Sequence, residues 1–568
     1  MKKFTKLLGI VLIIALVLSM GTMALADDPQ PQAVGTATAT ITAPSNQIHT
    51  YEVYQIFAGD LSTDGTTLSN VIWGTNSTGR GTGVKIGDRV AQSVLDGLAG
   101  LSGTDAAMLS TIKNYVDLTS DPIGTVTNGA SLEVPTGYYL IKDVDDSLDE
   151  TSEAYTQYIV QVLNNITINP KAEKPSSEKK VQDINDSTGV QAVDSSNSTW
   201  IDSADYDIGD EIPYSITATI PADLRWDDFA SYALSFVDTM SKGLTYKANS
   251  TEVYINDTKI EVTLEPTSAS AADTEGAYKG GTIYTWAIEN LKADPYSCPK
   301  TTTTNQVTTT VETVVRIEYK AVLNADAVVG SAGNPNKMHI EFSNNPNNTD
   351  DKGKTPDDTN IVFTYKTVFN KVDGDNKPLT GADFKLEKFI KNANGTDTLT
   401  VGTETIKGTW TDVTTLGTTA HPTKVKTGVE AVEGKDAEGD NPAVEAQPAV
   451  ADCVFTFTGL DDGYYKLTET VTPDGYNTID PIEFQITATH DIVSDSPTLT
   501  ALTGTSGAQI TMTPNVAAGS LTTDVINQSG TVLPSTGGIG TTIFYVVGSI
   551  LVVAAGVLLI TKKRMGRD

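Results

Sequence analysis

The sequence predicts an all-β protein of tandem β-sandwich domains, flanked by a signal peptide and a C-terminal transmembrane helix. The interior of the chain is rich in Thr, Val, Gly and Asn, with alternating runs such as Tyr51–Phe57, and such runs are typical of half-buried strands. Roughly 500 residues between the terminal signals leave room for three or four domains. Only Ala91–Leu101 and Ala106–Val116 have helical spacing.

The N-terminus has the three parts of a secretion signal. A basic region with three lysines precedes an apolar core, Leu7–Leu18, and an A-x-A cleavage site, Ala24–Ala26. The core is too short to span a membrane. We therefore expect residues 1–26 to be removed and the mature chain to begin at Asp27.

The C-terminal residues 529–568 combine an LPSTG motif, an apolar stretch at Thr541–Ile560 and a basic tail, in that order. Twenty helical residues rise about 30 Å, enough to cross the hydrocarbon core of a bilayer, and the tail would stay in the cytoplasm. This order resembles the cell-wall sorting signal of Gram-positive surface proteins. The resemblance implies that a sortase cleaves after Thr536 and joins it to an amine, so membrane retention is transient. The motif residues are Leu533, Pro534, Ser535, Thr536 and Gly537.

Composition argues against several function classes. The net charge of −32 disfavours nucleic acid as a partner. The two cysteines, Cys298 and Cys453, cannot form a disulfide framework, and we expect free thiols in different domains. The four histidines lack metal-ligand spacing, and no nucleophile elbow, phosphate loop or zinc motif occurs. We therefore predict no metal, no cofactor and no enzyme.

We divide the mature chain into three domains. The first, residues 27–171, ends at a polar, proline-containing linker. The second, residues 172–366, closes after the turn-rich Asn344–Asn360. The third, residues 367–528, carries an Ala/Glu/Pro-rich insertion near Val429–Val450, which we interpret as a surface loop.

The third domain contains four stretches that resemble a Cna B-type domain, which is an immunoglobulin-like sandwich, including the E-box of that family. The resemblance implies that Lys371 on the first strand and Asn527 on the last form an intramolecular isopeptide bond, promoted by Glu469. The matching stretches are Asn370–Asp373, Pro378–Leu386, Tyr465–Tyr476 and Val525–Asn527.

The physical chemistry of burial is consistent with such a bond. Burial lowers the pKa of a lysine and raises that of a carboxylic acid, so a neutral Lys371 would be a nucleophile. A protonated Glu469 could polarise the Asn527 carbonyl and shuttle protons as ammonia leaves. Treated like a disulfide, closing a loop of roughly 150 residues would restrict the unfolded chain by about 5 kcal/mol.

The second domain resembles the fimbrial isopeptide-formation domain of Gram-positive pilins. The resemblance implies an acid at Asp238 and a lysine at Lys179 or Lys180, of which we favour Lys179. Strand alternation puts Asn336 and Asn344 on one face, and Asn336 is the preferred acceptor, with Asn344 as the alternative. The matching stretches are Trp200–Pro221, Phe236–Leu244 and Asn334–Pro346.

The first domain looks like the N-terminal domain of such pilins, on the stretches Tyr51–Leu61 and Val71–Gly74. Its Gly137–Asp143 aligns with Gly463–Glu469, which favours one ancestral sandwich used twice. Asp143 then takes the position of the acid, but no lysine precedes Lys85 in the mature chain. A first-strand bond is therefore not expected here.

The end of the first domain, Ile166–Lys171, resembles the pilin motif in which a strand ends in Val-Tyr-Pro-Lys. Asn169 replaces the tyrosine, and the upstream tryptophan of the family is missing. The resemblance implies that Lys171 attacks the sortase-bound Thr536 of the next subunit. An ordinary linker lysine is the alternative.

Together the resemblances imply a structural backbone subunit of a covalently polymerised pilus, secreted and anchored to the cell wall. Head-to-tail joining does not close and therefore yields a fibre. The implied partners are a class C pilin sortase, a housekeeping sortase, other copies of the chain, ancillary pilins and peptidoglycan, and the only chemistry of its own is autocatalytic isopeptide formation. An ancillary pilin or a wall-anchored adhesin that binds host matrix is the alternative, and it would need no reactive Lys171.

Overall fold

Strands dominate the part of the chain that the structure, a computed structural model, describes. This confirms the all-β prediction. The signal peptide, Lys171 and the LPSTG motif lie outside the described residues, so the structure does not bear on their predicted roles. The described residues are 37–45, 49–78, 85–99, 113–145, 155–168, 174–222, 226, 229–298, 301–304, 307–346, 351–433, 447–507, 509–530 and 539–565.

The N-terminal part packs two sheets against each other, in the strand orders β5-β1-β8 and β3-β2-β6-β7, with β4 paired to β2. Ile41 of one sheet and Tyr139 of the other belong to the same core. The strands are β1 Thr38–Thr42, β2 Thr50–Leu61, β3 Leu68–Trp73, β4 Gly124–Thr127, β5 Ser131–Pro135, β6 Gly137–Asp143, β7 Gln157–Val162 and β8 Ile166–Thr167.

Helix α1, Gln92–Ala99, covers the second face of the β2-β6 sheet. Strand β6 is consequently buried along its whole length. The helix lies within the predicted Ala91–Leu101. Of the other predicted helix, the described Lys113–Tyr115 forms a short 3₁₀ turn, while residues 106–112 lie outside the described part.

The central part is a second two-sheet sandwich. One sheet has the order β15-β14-β20-β11-β9, with β13 on β20, and the other has the order β10-β23-β21-β12-β17-β16, with β22 on β21, while β18 and β19 pair as a hairpin. The strands are β9 Ser176–Val181, β10 Ser203–Asp205, β11 Glu211–Ile220, β12 Leu234–Met240, β13 Leu244–Tyr246, β14 Glu252–Ile255, β15 Thr258–Ile260, β16 Thr267–Ser270, β17 Thr282–Ile288, β18 Thr301–Thr304, β19 Val307–Thr310, β20 Thr313–Leu323, β21 Asn334–Ser343, β22 Lys352–Lys354 and β23 Asp358–Phe363.

The C-terminal part is a third sandwich, with sheets β28-β29-β24-β34-β33 and β26-β27-β25-β30-β31-β32. The strands are β24 Tyr365–Asp373, β25 Asp383–Lys391, β26 Asp397–Val401, β27 Glu404–Asp412, β28 Thr423–Val429, β29 Val450–Leu460, β30 Gly463–Val471, β31 Ile482–His490, β32 Leu499–Thr505, β33 Thr513–Asn515 and β34 Ser520–Asn527.

The last described element is helix α2, Ile539–Met565, which contains an apolar span, Ile543–Lys563, long enough to cross a membrane. The side chains of Phe544 and Leu551 lie exposed, as lipid-facing residues would. The two cysteines, Cys298 and Cys453, are buried and do not form a disulfide.

Strand alternation decides which polar residues enter the cores. In β20, alternate residues from Thr313 to Leu323 are buried, which turns Tyr319 inward. In β24, Lys371 occupies an inward position in the same way. Strand β24 runs parallel to β34, so that Lys371 pairs with Val525 and Asp373 with Asn527. The first and last strands of this sandwich are therefore neighbours.

Candidate functional site

The central sandwich brings a lysine, an acid and an asparagine together from three strands. Lys179 comes from β9, Asp238 from β12 and Asn336 from β21, and all three side chains are fully buried. Lys179 Nζ lies 2.6 Å from Asp238 Oδ1. Because β9 belongs to one sheet and β12 and β21 to the other, a bond from Lys179 to Asn336 would join the two sheets.

A tyrosine that the sequence reasoning missed lies at the centre of this group. The Tyr319 hydroxyl accepts hydrogen bonds from Lys179 Nζ at 2.8 Å and from Asn336 Nδ2 at 3.1 Å. It donates to Asp238 Oδ2 at 2.6 Å. The alternating pattern of β20 could have predicted that Tyr319 is buried, but no motif connects it with Asp238 and Lys179, which lie 81 and 140 positions away.

The alternative residues of this site lie elsewhere. Lys180 points away from the core and pairs with Asp202 at 2.7 Å. The Asn344 side chain accepts a hydrogen bond from the backbone N–H of Tyr155 at 3.2 Å. Asp238 therefore lies near Lys179 and Asn336, the two residues preferred from the sequence, and the alternatives Lys180 and Asn344 have other partners.

The surroundings of Lys179 favour its neutral, nucleophilic form. Burial lowers the pKa of Lys179, and the charge of Asp238 opposes this effect. The amine lies over the rings of Tyr214 and Tyr319, at 4.9 and 5.3 Å from their centroids. These rings exclude water, so the lysine proton has few acceptors besides Asp238.

The C-terminal sandwich holds the second predicted triad. Asn527 Nδ2 donates to both carboxylate oxygens of Glu469, at 2.9 and 3.1 Å. Glu469 Oε2 also accepts from the Thr472 hydroxyl at 3.1 Å and from the backbone N–H of Ile479 at 3.2 Å. The acid, on β30, is thus held against the amide of β34 from the facing sheet.

The lysine of this triad is buried but does not contact the acid. Lys371 Nζ donates to the carbonyl oxygens of Val525, at 2.8 Å, and Val372, at 3.0 Å. Burial lowers the pKa of Lys371 to about 8, against the charge of Glu469. The described hydrogen bonds of the Lys371 amine therefore go to the backbone and not to the Glu469 or Asn527 side chains.

Asp143 of the N-terminal part has a different environment. Its carboxylate oxygens lie 2.8 Å from His49 Nδ1 and 2.6 Å from the backbone nitrogen of Thr156. The neighbouring Lys142 directs its amine to Glu52 at 2.7 Å. The described contacts of the Asp143 side chain are thus with a histidine and a backbone nitrogen, whereas Asp238 of the central sandwich contacts a lysine.

Sequence reasoning also missed a buried charge cluster where the central and C-terminal sandwiches meet. Lys388, fully buried, lies 2.5 Å from Asp207 of the central part and contacts Asp461 of its own part. The backbone N–H of Asp461 donates to Asp207 at 3.0 Å. Although burial opposes its charge, the two aspartates raise the pKa of Lys388 well above that of a free lysine.

The fold also brings together acidic and histidine side chains that are far apart in the sequence. His490 lies with Asp183 and Asp205 in a group whose ligand atoms are close enough to bind a cation, although the histidines have no metal-ligand spacing in the sequence. A second such group includes Asp207 and Asp461, which contact Lys388.

Two families match parts of the chain. Residues 366–497 match the SpaA family, a prealbumin-like fold domain. Residues 526–565 match the LPXTG cell wall anchor motif. The protein is therefore a cell-wall-anchored surface protein that its C-terminal helix retains transiently in the membrane.

One curated relative is the trypsin-resistant surface T6 protein of Streptococcus pyogenes serotype M6. It is 30% identical over 197 residues, and the match covers 31% of this chain and 32% of the relative. The chain thus matches about a third of that relative's length.

Solved structures of pilins resemble the chain over most of its length. The T6 backbone pilin of serotype M6 Streptococcus pyogenes is 18% identical with a TM-score of 0.45, over 88% of this chain and 100% of that chain. The full-length major pilin SpaD of Corynebacterium diphtheriae is 14% identical with a TM-score of 0.39, over 88% and 100%.

Proposed function

We propose that this chain is the backbone subunit of a covalently polymerised pilus. In this role a sortase cleaves between Thr536 and Gly537 and joins Thr536 to Lys171 of the next copy. The chain serves as the sortase substrate. The partial identity to the T6 surface protein and the wall anchor motif support this proposal.

The observation that carries the proposal is the buried grouping of Lys179, Asp238 and Asn336, with Lys179 Nζ 2.6 Å from the acid. An unreacted buried ion pair costs desolvation energy on both charges. An amide between Lys179 and Asn336, and a second one between Lys371 and Asn527, would remove the lysine charges and cross-link the strands. Exported proteins are often cross-linked by disulfides, but the described residues of this chain form none. The proposed amides would supply covalent cross-links instead.

The partners follow from this role. A class C sortase would polymerise the chain with other copies of itself and with ancillary pilins. A housekeeping sortase would then transfer the finished fibre to peptidoglycan. The three domains, residues 27–171, 172–366 and 367–528, would then recur in every subunit of the fibre, with Lys171 at the junction of the first two.

A blot of cell-wall extract boiled in SDS tests the polymer. We expect a ladder of high-mass species from the wild type and monomer alone from Lys171→Ala, because boiling does not break amide bonds. Lys174→Ala, a change of a lysine three residues further on, is the matched control and should keep the ladder. A single band from the wild type would contradict the backbone role and favour a monomeric adhesin.

A further inference from the structure

We propose that Tyr319 is a catalytic residue for the bond between Lys179 and Asn336, and that its hydroxyl passes a proton from the attacking nitrogen to the leaving nitrogen. This inference rests on the proposed function, because it concerns one of the bonds proposed there. It adds a fourth group to a site for which the sequence resemblance supplies three.

The position of the hydroxyl is the first argument. Among the described residues, the Tyr319 hydroxyl hydrogen-bonds all three predicted reactants: Lys179 Nζ at 2.8 Å, Asn336 Nδ2 at 3.1 Å and Asp238 Oδ2 at 2.6 Å. All three distances are within the reach required for proton transfer. The hydroxyl therefore lies between the nitrogen that forms the new bond and the nitrogen that leaves.

The difference between the two triads is the second argument. The described hydrogen bonds of Asp238 go to Lys179 and Tyr319, and none goes to Asn336. In the C-terminal sandwich, by contrast, Glu469 bonds the amide of Asn527 directly with both oxygens. Aspartate is one methylene shorter than glutamate, and in the central site the Tyr319 hydroxyl hydrogen-bonds both the acid and the amide.

The reaction balances with these groups alone. Lys179 Nζ gives one proton to Asp238 Oδ1 and attacks Asn336 Cγ. It then gives a second proton to the Tyr319 oxygen, while Tyr319 gives its own proton to Asn336 Nδ2. The Cγ–Nδ2 bond breaks, ammonia leaves, and the products are one amide, a protonated Asp238 and an unchanged tyrosine.

The packing around Tyr319 fixes this geometry. Its ring stacks on that of Tyr214, with the ring centroids 5.4 Å apart and the planes 13° from parallel. The centroid of the Trp286 ring lies 4.9 Å from that of Tyr319. Burial raises the pKa of Tyr319 well above its usual value. The hydroxyl consequently keeps its proton at neutral pH and can exchange it for another during the reaction.

Tyr319→Phe tests the relay because it removes only the hydroxyl. Chain recovered from inclusion bodies in urea is refolded by dilution, and cross-linked peptides are measured by mass spectrometry over time. We expect the Lys179–Asn336 link to form at least about 100-fold more slowly than in the wild type. The Lys371–Asn527 link, in the same molecule, should form at the wild-type rate.

Tyr232→Phe is the matched control, since Tyr232 is also fully buried in the central core and its hydroxyl has no hydrogen-bond partner among the described residues. It should form both links at the wild-type rate. A Tyr319→Phe chain that links as fast as this control would overturn the relay. A wild type without the Lys179–Asn336 link would instead refute the proposed chemistry of that sandwich.

A double variant separates the relay from a merely structural role. Asp238→Glu lengthens the acid by one methylene, so that it can reach the amide as Glu469 does. If Asp238→Glu combined with Tyr319→Phe links as fast as Asp238→Glu alone, the relay is supported. If the double variant is as slow as Tyr319→Phe while Asp238→Glu alone is fast, the hydroxyl matters for another reason and the relay is wrong.

Discussion

Two lysines, Lys179 and Lys371, are buried away from the water that normally stabilises the charged form of a lysine. Both are fully buried on inward positions of strands, and burial lowers the pKa of each. They differ in their partners, because Lys179 contacts its acid whereas Lys371 donates to two backbone carbonyls. Proton removal from Lys371 should therefore depend more directly on the bulk pH.

We predict that the Lys371–Asn527 link forms about tenfold faster at pH 7 than at pH 6 and that its rate levels off above pH 8. The reason is that the neutral amine attacks and that the pKa of Lys371 is lowered to about 8, so each pH unit below 8 reduces the neutral fraction. The measurement is the mass of the linked peptide over time after refolding at each pH. A rate that does not change between pH 6 and pH 8 would contradict this account.

At the level of the secondary-structure elements, the sequence predicted the strands and their buried residues best. Strand alternation and motif resemblance singled out Lys179, Lys371 and Asn336, and the structure has all three buried on strands. The aligned glycines of the internal repeat, Gly137 and Gly463, each begin a central strand, β6 and β30. These features depend on local periodicity, which a sequence displays directly.

Contacts between residues that lie far apart in the sequence were not predictable in the same way. Tyr319 reaches Lys179 only because β20 and β9 lie on either side of β11 in the sheet order. Lys388 reaches Asp207 across 181 positions, from another sandwich. Periodicity predicts which face a residue occupies but not which residue it meets there, because that depends on strand order and on domain packing.

For the whole molecule, the proposed linkage defines which parts carry load. Tension would enter at Lys171 and leave at Thr536. The central and C-terminal sandwiches lie between these points in the sequence, while the N-terminal part precedes Lys171 and would lie outside the path. The two sandwiches that would carry this load are those with a proposed cross-link, whereas Asp143 of the N-terminal part contacts a histidine.

The joint between the central and C-terminal sandwiches is short and is crossed by hydrogen bonds. Thr364 alone separates β23 from β24, and backbone hydrogen bonds cross the joint from Asp202 to Ile492 and from Ile208 to Gly459, at 3.0 Å each. Lys388 is also buried at this joint. Among the described ion pairs, it is the only lysine that pairs with Asp207 and Asp461.

We predict that Lys388→Met lowers the free energy of unfolding by about 3–5 kcal/mol at pH 8, because it leaves Asp207 and Asp461 buried without a counter-charge. Burial raises the pKa of both aspartates, so they take up protons as the pH falls. The loss should therefore be smaller at pH 5. Denaturant unfolding at both pH values measures it.

Lys385→Met is the matched control for this change. Lys385 lies on the same strand, is 40% exposed and pairs with Glu387 at 2.8 Å. Exposed ion pairs contribute about 0–1 kcal/mol, so this variant should unfold nearly as the wild type does. Equal losses for the two variants would show that the buried cluster does not stabilise the joint.

The intact mass of the purified mature protein shows whether the two cross-links are present. We expect it to fall short of the sequence mass by two ammonia molecules, one for each cross-linked sandwich. Glu469→Ala and Asp238→Ala should each restore one of them, because each removes the acid of one site. A wild-type mass equal to that of the uncross-linked sequence would contradict the account for both sandwiches.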